Sequence, residues 1–506
     1  MLQRSVQRLF LGICCLLATM PLGRSQLAPA IEEITVDAQA PSKPFPHFWE
    51  QMFGSGRAIL SLRDSYRKDL RATKTVTDIH YVRFHAILDD EVGVYSEDSG
   101  GQPVYNWSYV DQIYDGLLEN GVRPFVELSF MPRKLAASTT PHPFWYGPLP
   151  SPPKDYSKWD ALIYSFARHL VDRYGAAEVS QWYFEVWNEP NIDFWSGEPK
   201  QATYFELYDH TAPAIKRADS RLRVGGPATA QAAWIPDMIA HCALANIPLD
   251  FVSTHVYAND LSKDVFGTDQ SINRSEMVSM AVQKVYKQVK SSTKPDLPII
   301  WSEYNASYKN EIDVTDATYM GPWLANNIRL CDGLTAMMSY WTFSDVFEEQ
   351  GVIKTPFYGG FGLIAEGGVP KAAFNAFAML HRLGDRRLDP DLANALVTKR
   401  ADGTLAIAVW NYAEPGQSGA DRKVHLTVRG VSGTSAYHVE ILDRDHGSAL
   451  SAWQRMGSPV DPTQEQYREL QRAAAGTRKL DGTSSFKLPS QSLAVVEVRT
   501  TEVRPK

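Results

Sequence analysis

Two glutamates at the ends of apolar runs are the residues of this sequence best placed for chemistry. The first lies in Trp182 to Asn191, which reads Trp-Tyr-Phe-Glu-Val-Trp-Asn-Glu-Pro-Asn. Trp182, Tyr183, Phe184 and Val186 favour a strand. Pro190, which cannot donate to a sheet ladder, ends it. Glu189 therefore stands at the C-terminal tip of a buried strand, beside Asn188. The second lies in Leu297 to Asn305, where another apolar run ends in Glu303 between Ser302 and Tyr304. Two carboxylates facing each other across one cleft are the apparatus of glycoside hydrolysis. An apolar, Trp-rich setting would raise the pKa of Glu189 toward the range of a general acid. Either glutamate alone reads equally well as a solvated or Arg-paired charge; the pair, each beside Asn and aromatic rings, points to catalysis.

Such a pair needs a scaffold that gathers strand ends on one face. From Phe48 onward, strand-like and helix-like segments alternate. Strands are expected at Trp49–Gly54, Ile79–Ile87, Val122–Phe130, the stretch from Trp182 that stops at Pro190, Leu222–Gly226, Leu249–Tyr257, Leu297–Asn305 and Leu334–Phe343. Helices are expected at Tyr109–Glu119, Lys158–Tyr174, Tyr204–Ala218, Trp234–Ala245, Ser275–Val289 and Ala317–Leu330. Eight strands separated mostly by helices over about 300 residues match a (β/α)8 TIM barrel, an α/β fold whose active site lies at the C-terminal strand tips. Strands four and seven would face each other across its mouth. A Pro-rich loop, Pro132 to Pro153, carries Phe144, Trp145 and Tyr146 and reads as a wall of the cleft. Beyond Gly359-Gly360-Phe361-Gly362, after one helix at Lys371–Leu380, short alternating strands predict an accessory antiparallel β-sandwich with a charged helix at Pro462–Ala474. The expected division is a signal peptide at 1–26, an N-terminal strand joining the sandwich at 27–45, a catalytic barrel at 46–350 and the sandwich module at 351–506.

The chain of 506 residues is too long for one ordinary domain. Its net charge of −7, with acidic and basic residues interspersed, argues against a nucleic-acid partner. Arg4 and Arg8 precede the apolar run Leu9–Leu17, and small or polar residues follow, which is the layout of a secretory signal peptide and predicts a secreted or periplasmic protein. An uncleaved anchor is the alternative, and no later segment is apolar enough to hold the mature chain in a membrane. Cys242 and Cys331 fall in expected helices and read as buried free thiols. No Cys/His run has zinc spacing, and neither a Walker loop nor a GxGxxG after a strand is present, so no metal and no cofactor are expected.

These residues resemble family 39 of the glycoside hydrolases, and most of all its bacterial β-xylosidases. The likeness rests on Arg83-Phe84-His85, Asp89 to Tyr95, Pro124 to Leu128, Phe130-Met131-Pro132, Phe184 to Asn191, Val224 to Pro227, Phe251 to His255, Glu303-Tyr304-Asn305, Ser339 to Glu349 and Gly359 to Leu363. It runs from about residue 30 into the C-terminal module. The Trp-Asn-Glu-Pro motif is shared by a wide clan of retaining glycosidases, whereas the Trp341-to-Glu349 segment is much narrower. The resemblance implies a retaining mechanism with Glu189 as acid/base and Glu303 as nucleophile. It also implies that His85, Phe130, Asn188, His255, Tyr257, Tyr308, Trp341, Glu348 and Glu349 line the first sugar subsite.

The same family contains α-L-iduronidases, which bind a sugar carboxylate. The sixth strand tip here, His255 to Asp260, offers no fixed cation, and the eighth carries two Glu, so a neutral sugar, xylose first, is expected. A non-catalytic glycan-binding barrel and an endo-acting enzyme are the other readings; the first has no use for a matched acid and nucleophile. The oligomeric state is left open, a homo-oligomer among the options.

Overall fold

The computed structural model describes residues 31–500 apart from 418 and 432–434. The expected signal peptide lies outside the described residues. Eight parallel strands close into a barrel: β1 (Met52–Gly54), β2 (Tyr81–Phe84), β3 (Arg123–Glu127), β4 (Tyr183–Glu185), β5 (Arg223–Thr229), β6 (Phe251–Tyr257), β7 (Ile299–Asn305) and β8 (Met337–Tyr340), with β8 pairing back on β1. Each is followed by a helix: α1 (Asp64–Lys74), α2 (Ser108–Glu119), α3 (Tyr156–Tyr174), α4 (Lys200–Ala218), α5 (Ile235–Ala245), α6 (Arg274–Lys290), α7 (Met320–Cys331) and α8 (Ala372–Leu380).

The strands read with a period of two because successive side chains point to opposite faces. Val82, Phe84, Val126, Phe184, Val224, Val252 and Trp301 belong to the large core beneath the helices. Met52, Phe125, Phe251, Ile300 and Met337 form a separate apolar plug, with Tyr81 and Tyr183 packed against it. One step further along the same inward-facing rows, the residues become Arg83, Glu127, Glu185 and Ser302. The barrel is thus sealed by apolar side chains below and charged just under its mouth.

Four expectations change. β5 does not stop at Gly226: it runs through Pro227 to Thr229, because Pro227 sits opposite Ser253 without needing to donate. The sequence predicts no helix between the first two strands, yet α1 is there; it buries only Tyr66, Asp69, Leu70 and Thr73, too sparse an apolar stripe to stand out in sequence. The barrel does not end at residue 350. Phe377 of α8 packs on Phe53 of β1 and Tyr340 of β8, so the last barrel helix follows a long loop carrying Glu348 and Glu349. The accessory module is not purely antiparallel. Ile31–Asp37 pairs in parallel with Arg422–Arg429, which pairs with Ser485–Leu488.

That three-stranded sheet faces an antiparallel seven-stranded sheet across a shared core that includes Ile34, Val36, Val397, Ile407, Val409, Leu426 and Val496. The expected charged helix is present at Gln464–Ala475, beside a shorter helix at Leu450–Arg455. Their apolar faces pack on Phe357, Ala365 and Val369. Cys242 and Cys331 are free and buried.

Candidate active site

Glu189 follows β4 by four residues, and Glu303 is the fifth residue of β7. The β4 tip is bent: Trp187 and Glu189 hold φ of 72° and 44°, a left-handed conformation that non-glycine residues adopt at a cost. The amide of Glu189 donates to Ala228 O at 2.8 Å, and the indole of Trp187 donates to Phe194 O at 2.8 Å, which fixes that bend. Both carboxyl groups face a pocket of about 430 Å3 at the C-terminal mouth of the barrel. One carboxyl oxygen from each, together with a His255 ring nitrogen, lies within 4.8 Å of the others. That closeness is compatible with the about 5–5.5 Å between carboxyl groups of a retaining pair.

The two carboxyls meet opposite surroundings. Glu303 accepts from Arg83 Nη1 at 2.7 Å on Oε1 and from the Tyr257 hydroxyl at 2.6 Å on Oε2. Both of its oxygens are thereby aimed and supplied with donors, one of them a cation, as an attacking carboxylate requires. Glu189 has no such cation. Burial, then the charges of Glu303 and Asp260, push its pKa well above the usual carboxylate range. Its side-chain partner is His255, whose Nδ1 lies 3.0 Å from Oε1. Burial, with Arg83 and His85 nearby, drives the His255 pKa well below normal, so this imidazole is neutral. With its proton on Nδ1 it donates to Glu189 Oε1, while Nε2, 3.1 Å from Ser302 Oγ, accepts the hydroxyl proton. Oε2 of Glu189 is then the oxygen left to carry a proton when the carboxyl is neutral.

Beneath both lies Arg83, wholly buried. Besides Glu303, its guanidinium donates to Glu185 Oε2 at 2.6 Å and Asn188 Oδ1 at 2.9 Å, and Nη2 lies 2.8 Å from Glu127 Oε2. One cation thus fixes Glu303, strand four and strand three together. Because Arg83 holds the Asn188 oxygen, the amide NH2 is the part of Asn188 left for a ligand hydroxyl. Glu127 also accepts from Ser129 and lies 2.7 Å from His85 Nδ1. Burial opposes a charge on His85, but Glu127 outweighs it, and the His85 pKa lies above the ordinary value. Arg83, Glu127 and Glu185 fall within the motifs of the resemblance but are not marked by it as site residues. The signal was there: charged residues on the inward rows of otherwise apolar strands.

Of the residues implied by resemblance, His85, Asn188, Glu189, Tyr257, Glu303, Tyr308, Trp341 and Glu349 line the pocket. Tyr308 is 45% exposed and sits at the mouth. Trp341 lies against His85 with ring centroids 4.8 Å apart. A side chain at Gly54 would overlap the Trp341 ring, which explains a glycine at the tip of β1.

Three residues are placed differently. Phe130 is buried behind the wall, packed edge-on to Trp187 and stacked on Phe194. His255 is buried under Glu189 and acts through it. Glu348 turns away and is taken by Arg63, at 2.5 and 3.0 Å, and by Arg57 at 3.4 Å. Its neighbour Glu349 is left in the pocket. Burial, opposed by His85 and Arg57 and supported by Glu303 and Glu127, raises the Glu349 pKa to about 8, which favours the protonated form at neutral pH, able to donate to a sugar hydroxyl.

Loop 132–153 contributes His142 and Phe144 to the wall, and Trp145 ties it to the opposite loop by donating to Glu349 O at 2.8 Å. Sequence reading missed His142, Ile192, Phe194, Gln231, Asp260 and Phe361 as lining residues; none stands in a motif whose chemistry is legible in one dimension. Glu189, His255 and Glu303 are also the right types for a metal. However, Tyr257 and Arg83 already donate to Glu303, and a dication would stand beside the fixed guanidinium.

Residues 32–486 match the model of glycosyl hydrolases family 39. The chain belongs to this family. Members similar to it include a beta-xylosidase of Geobacillus stearothermophilus, 36% identical over 84% of this chain and 86% of that protein. A monomeric beta-xylosidase from Caulobacter crescentus CB15 has a crystal structure that aligns with a TM-score of 0.83 at 34% identity, covering 93% of this chain and 99% of that one. The mouse alpha-L-iduronidase is more distant, at 24% identity over 93% of this chain and 81% of its own. Family membership makes this chain a glycosidase acting on carbohydrate. No helix among the described residues is long and apolar enough to cross a membrane.

Proposed function

We propose that this family 39 enzyme is a retaining, exo-acting β-xylosidase, with Glu303 as nucleophile and Glu189 as acid/base. The observation that carries the reading is the pair of carboxyls close together on one pocket wall in opposite electrostatic surroundings. Glu303 attacks the anomeric carbon while Glu189 gives its proton to the leaving oxygen. In the glycosyl-enzyme Glu303 is esterified and uncharged. The Coulomb contribution that held Glu189 protonated is then gone, so Glu189 becomes a better base for the water that completes the reaction. Asn188 and Glu349 bind hydroxyls, and Trp341 presents a flat face to the ring.

Xylose is supported by the similar beta-xylosidases and by charge. Glu303 and Asp193 line the pocket and no Lys or Arg is among its lining residues, which opposes a uronate. Exo action is supported by the closing of the two loops through Trp145 and Glu349. From the basic and apolar leader we further infer export, which N-terminal sequencing of the mature protein tests.

The deciding experiment is hydrolysis of an aryl β-D-xyloside and of xylo-oligosaccharides with product anomers read by NMR. The expected result is β-xylose from the first turnovers, α-xylosyl azide from Glu303→Ala with azide, and the β-azide from Glu189→Ala. First-formed α-xylose would reject retention, and a faster uronide than xyloside reaction would reject the substrate.

A further inference from the structure

At the opposite end of the barrel a second set of ligand-type side chains converges. Glu50 lies two residues before β1, His47 three residues before Glu50, and His381 follows directly after α8. His47 Nδ1 is 2.6 Å from Glu50 Oε1, and His381 Nδ1 is 3.0 and 2.9 Å from the two Glu50 oxygens. One donor atom from each of the three lies within 4.8 Å of the others.

Glu50 is wholly buried, and its ionic partners among the described residues are these two imidazoles, with no Lys or Arg. The rings are held in place: His47 stacks on Trp49 at 4.4 Å and meets His381 edge-on at 6.3 Å. The trio opens on a cleft of about 430 Å3 whose wall also bears Asp78, Asp385 and Arg400. Arg400 is committed to Glu497 and to the Arg382 carbonyl. Asp78 and Asp385 add negative charge facing the same cleft.

Two imidazole nitrogens and one carboxylate are the protein ligand set that holds Zn2+ with a fourth position open to water. Tetrahedral ligands at about 2.0–2.2 Å from zinc stand about 3.3 Å apart, so the present contacts of 2.6 to 3.0 Å need to widen by about 0.3–0.7 Å. Carboxylates in excess over free cations draw a dication to the cleft. We propose that His47, Glu50 and His381 form a divalent-cation site of the zinc type. It would tie the segment entering β1 to the chain leaving α8 for the sandwich, where Phe45 N already donates to Asp385 O at 2.7 Å. The metal would hold these two segments together and take no part in glycoside cleavage, since the catalytic mouth lies at the other end of the strands.

The test uses the full chain stripped with a chelator and titrated with Zn2+ at neutral pH, followed by calorimetry, metal analysis and thermal unfolding. The expected result is one Zn2+ per chain and a raised unfolding midpoint. His47→Ala and His381→Ala should each weaken binding at least about tenfold, and xyloside hydrolysis by the zinc-free protein should be unchanged. Absence of stoichiometric binding, or equal binding by the His47→Ala/His381→Ala double variant, overturns the proposal and leaves a hydrogen-bonded His–Glu–His clamp. Because both readouts are binding and stability, the outcome is independent of the glycosidase reading.

Discussion

The tips of strands four and seven present the same functional group to one pocket and treat it in opposite ways. At β7 a buried guanidinium and a phenol converge on Glu303. At β4 a neutral imidazole meets Glu189 across one oxygen, and burial does the rest. The two carboxyls are therefore told apart by their neighbours rather than by the glutamates themselves. The neighbours come from β2 (Arg83), β6 (His255, Tyr257) and β7 (Ser302), so the division of labour is a property of the closed barrel.

Removing either end of the comparison gives the largest effects. Glu303→Ala should lose on the order of 10⁴-fold or more in kcat, since no second nucleophile stands in its place. Glu189→Ala should lose about 10²–10⁴-fold on substrates with poor leaving groups. It should lose far less in the first step on activated aryl xylosides, so a leaving-group series separates the two variants.

Arg83→Met tests the cation that makes the tips differ. It leaves Glu127, Glu185 and Glu303 buried without their guanidinium and should cost about 3–5 kcal/mol of stability. Thermal unfolding and kcat should fall together; a variant that kept wild-type kcat would sink the positioning role.

The adjacent pair Glu348 and Glu349 sharpens the contrast between pocket and support. Glu349→Gln should raise KM for xylosides, whereas Glu348→Gln should act by loosening the loop held through Arg57 and Arg63. Glu349 has a folded pKa of about 8, above its unfolded value, so the folded state binds the proton more tightly. Its contribution is present at low pH and lost as pH rises from about 4.5 to 8. Glu349→Gln should therefore flatten the fall in unfolding temperature over that window. The smallest effect belongs to Asp260→Asn. Removing that negative charge lowers the Glu189 pKa, so the alkaline limb of kcat/KM should move to lower pH by about one unit or less.

Much of this was legible along the chain. Bulky β-favouring runs ending in Glu189 and Glu303, spaced among helical segments, fix strand identity and the tips where they end. A period of two also marks Arg83, Glu127 and Glu185 as inward-facing once their strands are known. Helix α1 escaped because its buried stripe is short, and the length of β5 escaped because Pro227 breaks a rule that the bend beside Ser253 relaxes.

What the sequence by itself determined is local: which residues form strands, where apolar runs stop, and which acids stand at the stops. Those follow from side-chain period, propensity and the missing N–H of proline, all of which act over a few residues. What only the tertiary structure decided is which charges meet. Arg83 reaches Glu303 across 220 positions, Glu348 is drawn to Arg63 across 285, and His381 reaches Glu50 across 331. Electrostatic energy depends on distance in space and on burial, and neither is fixed until the barrel closes.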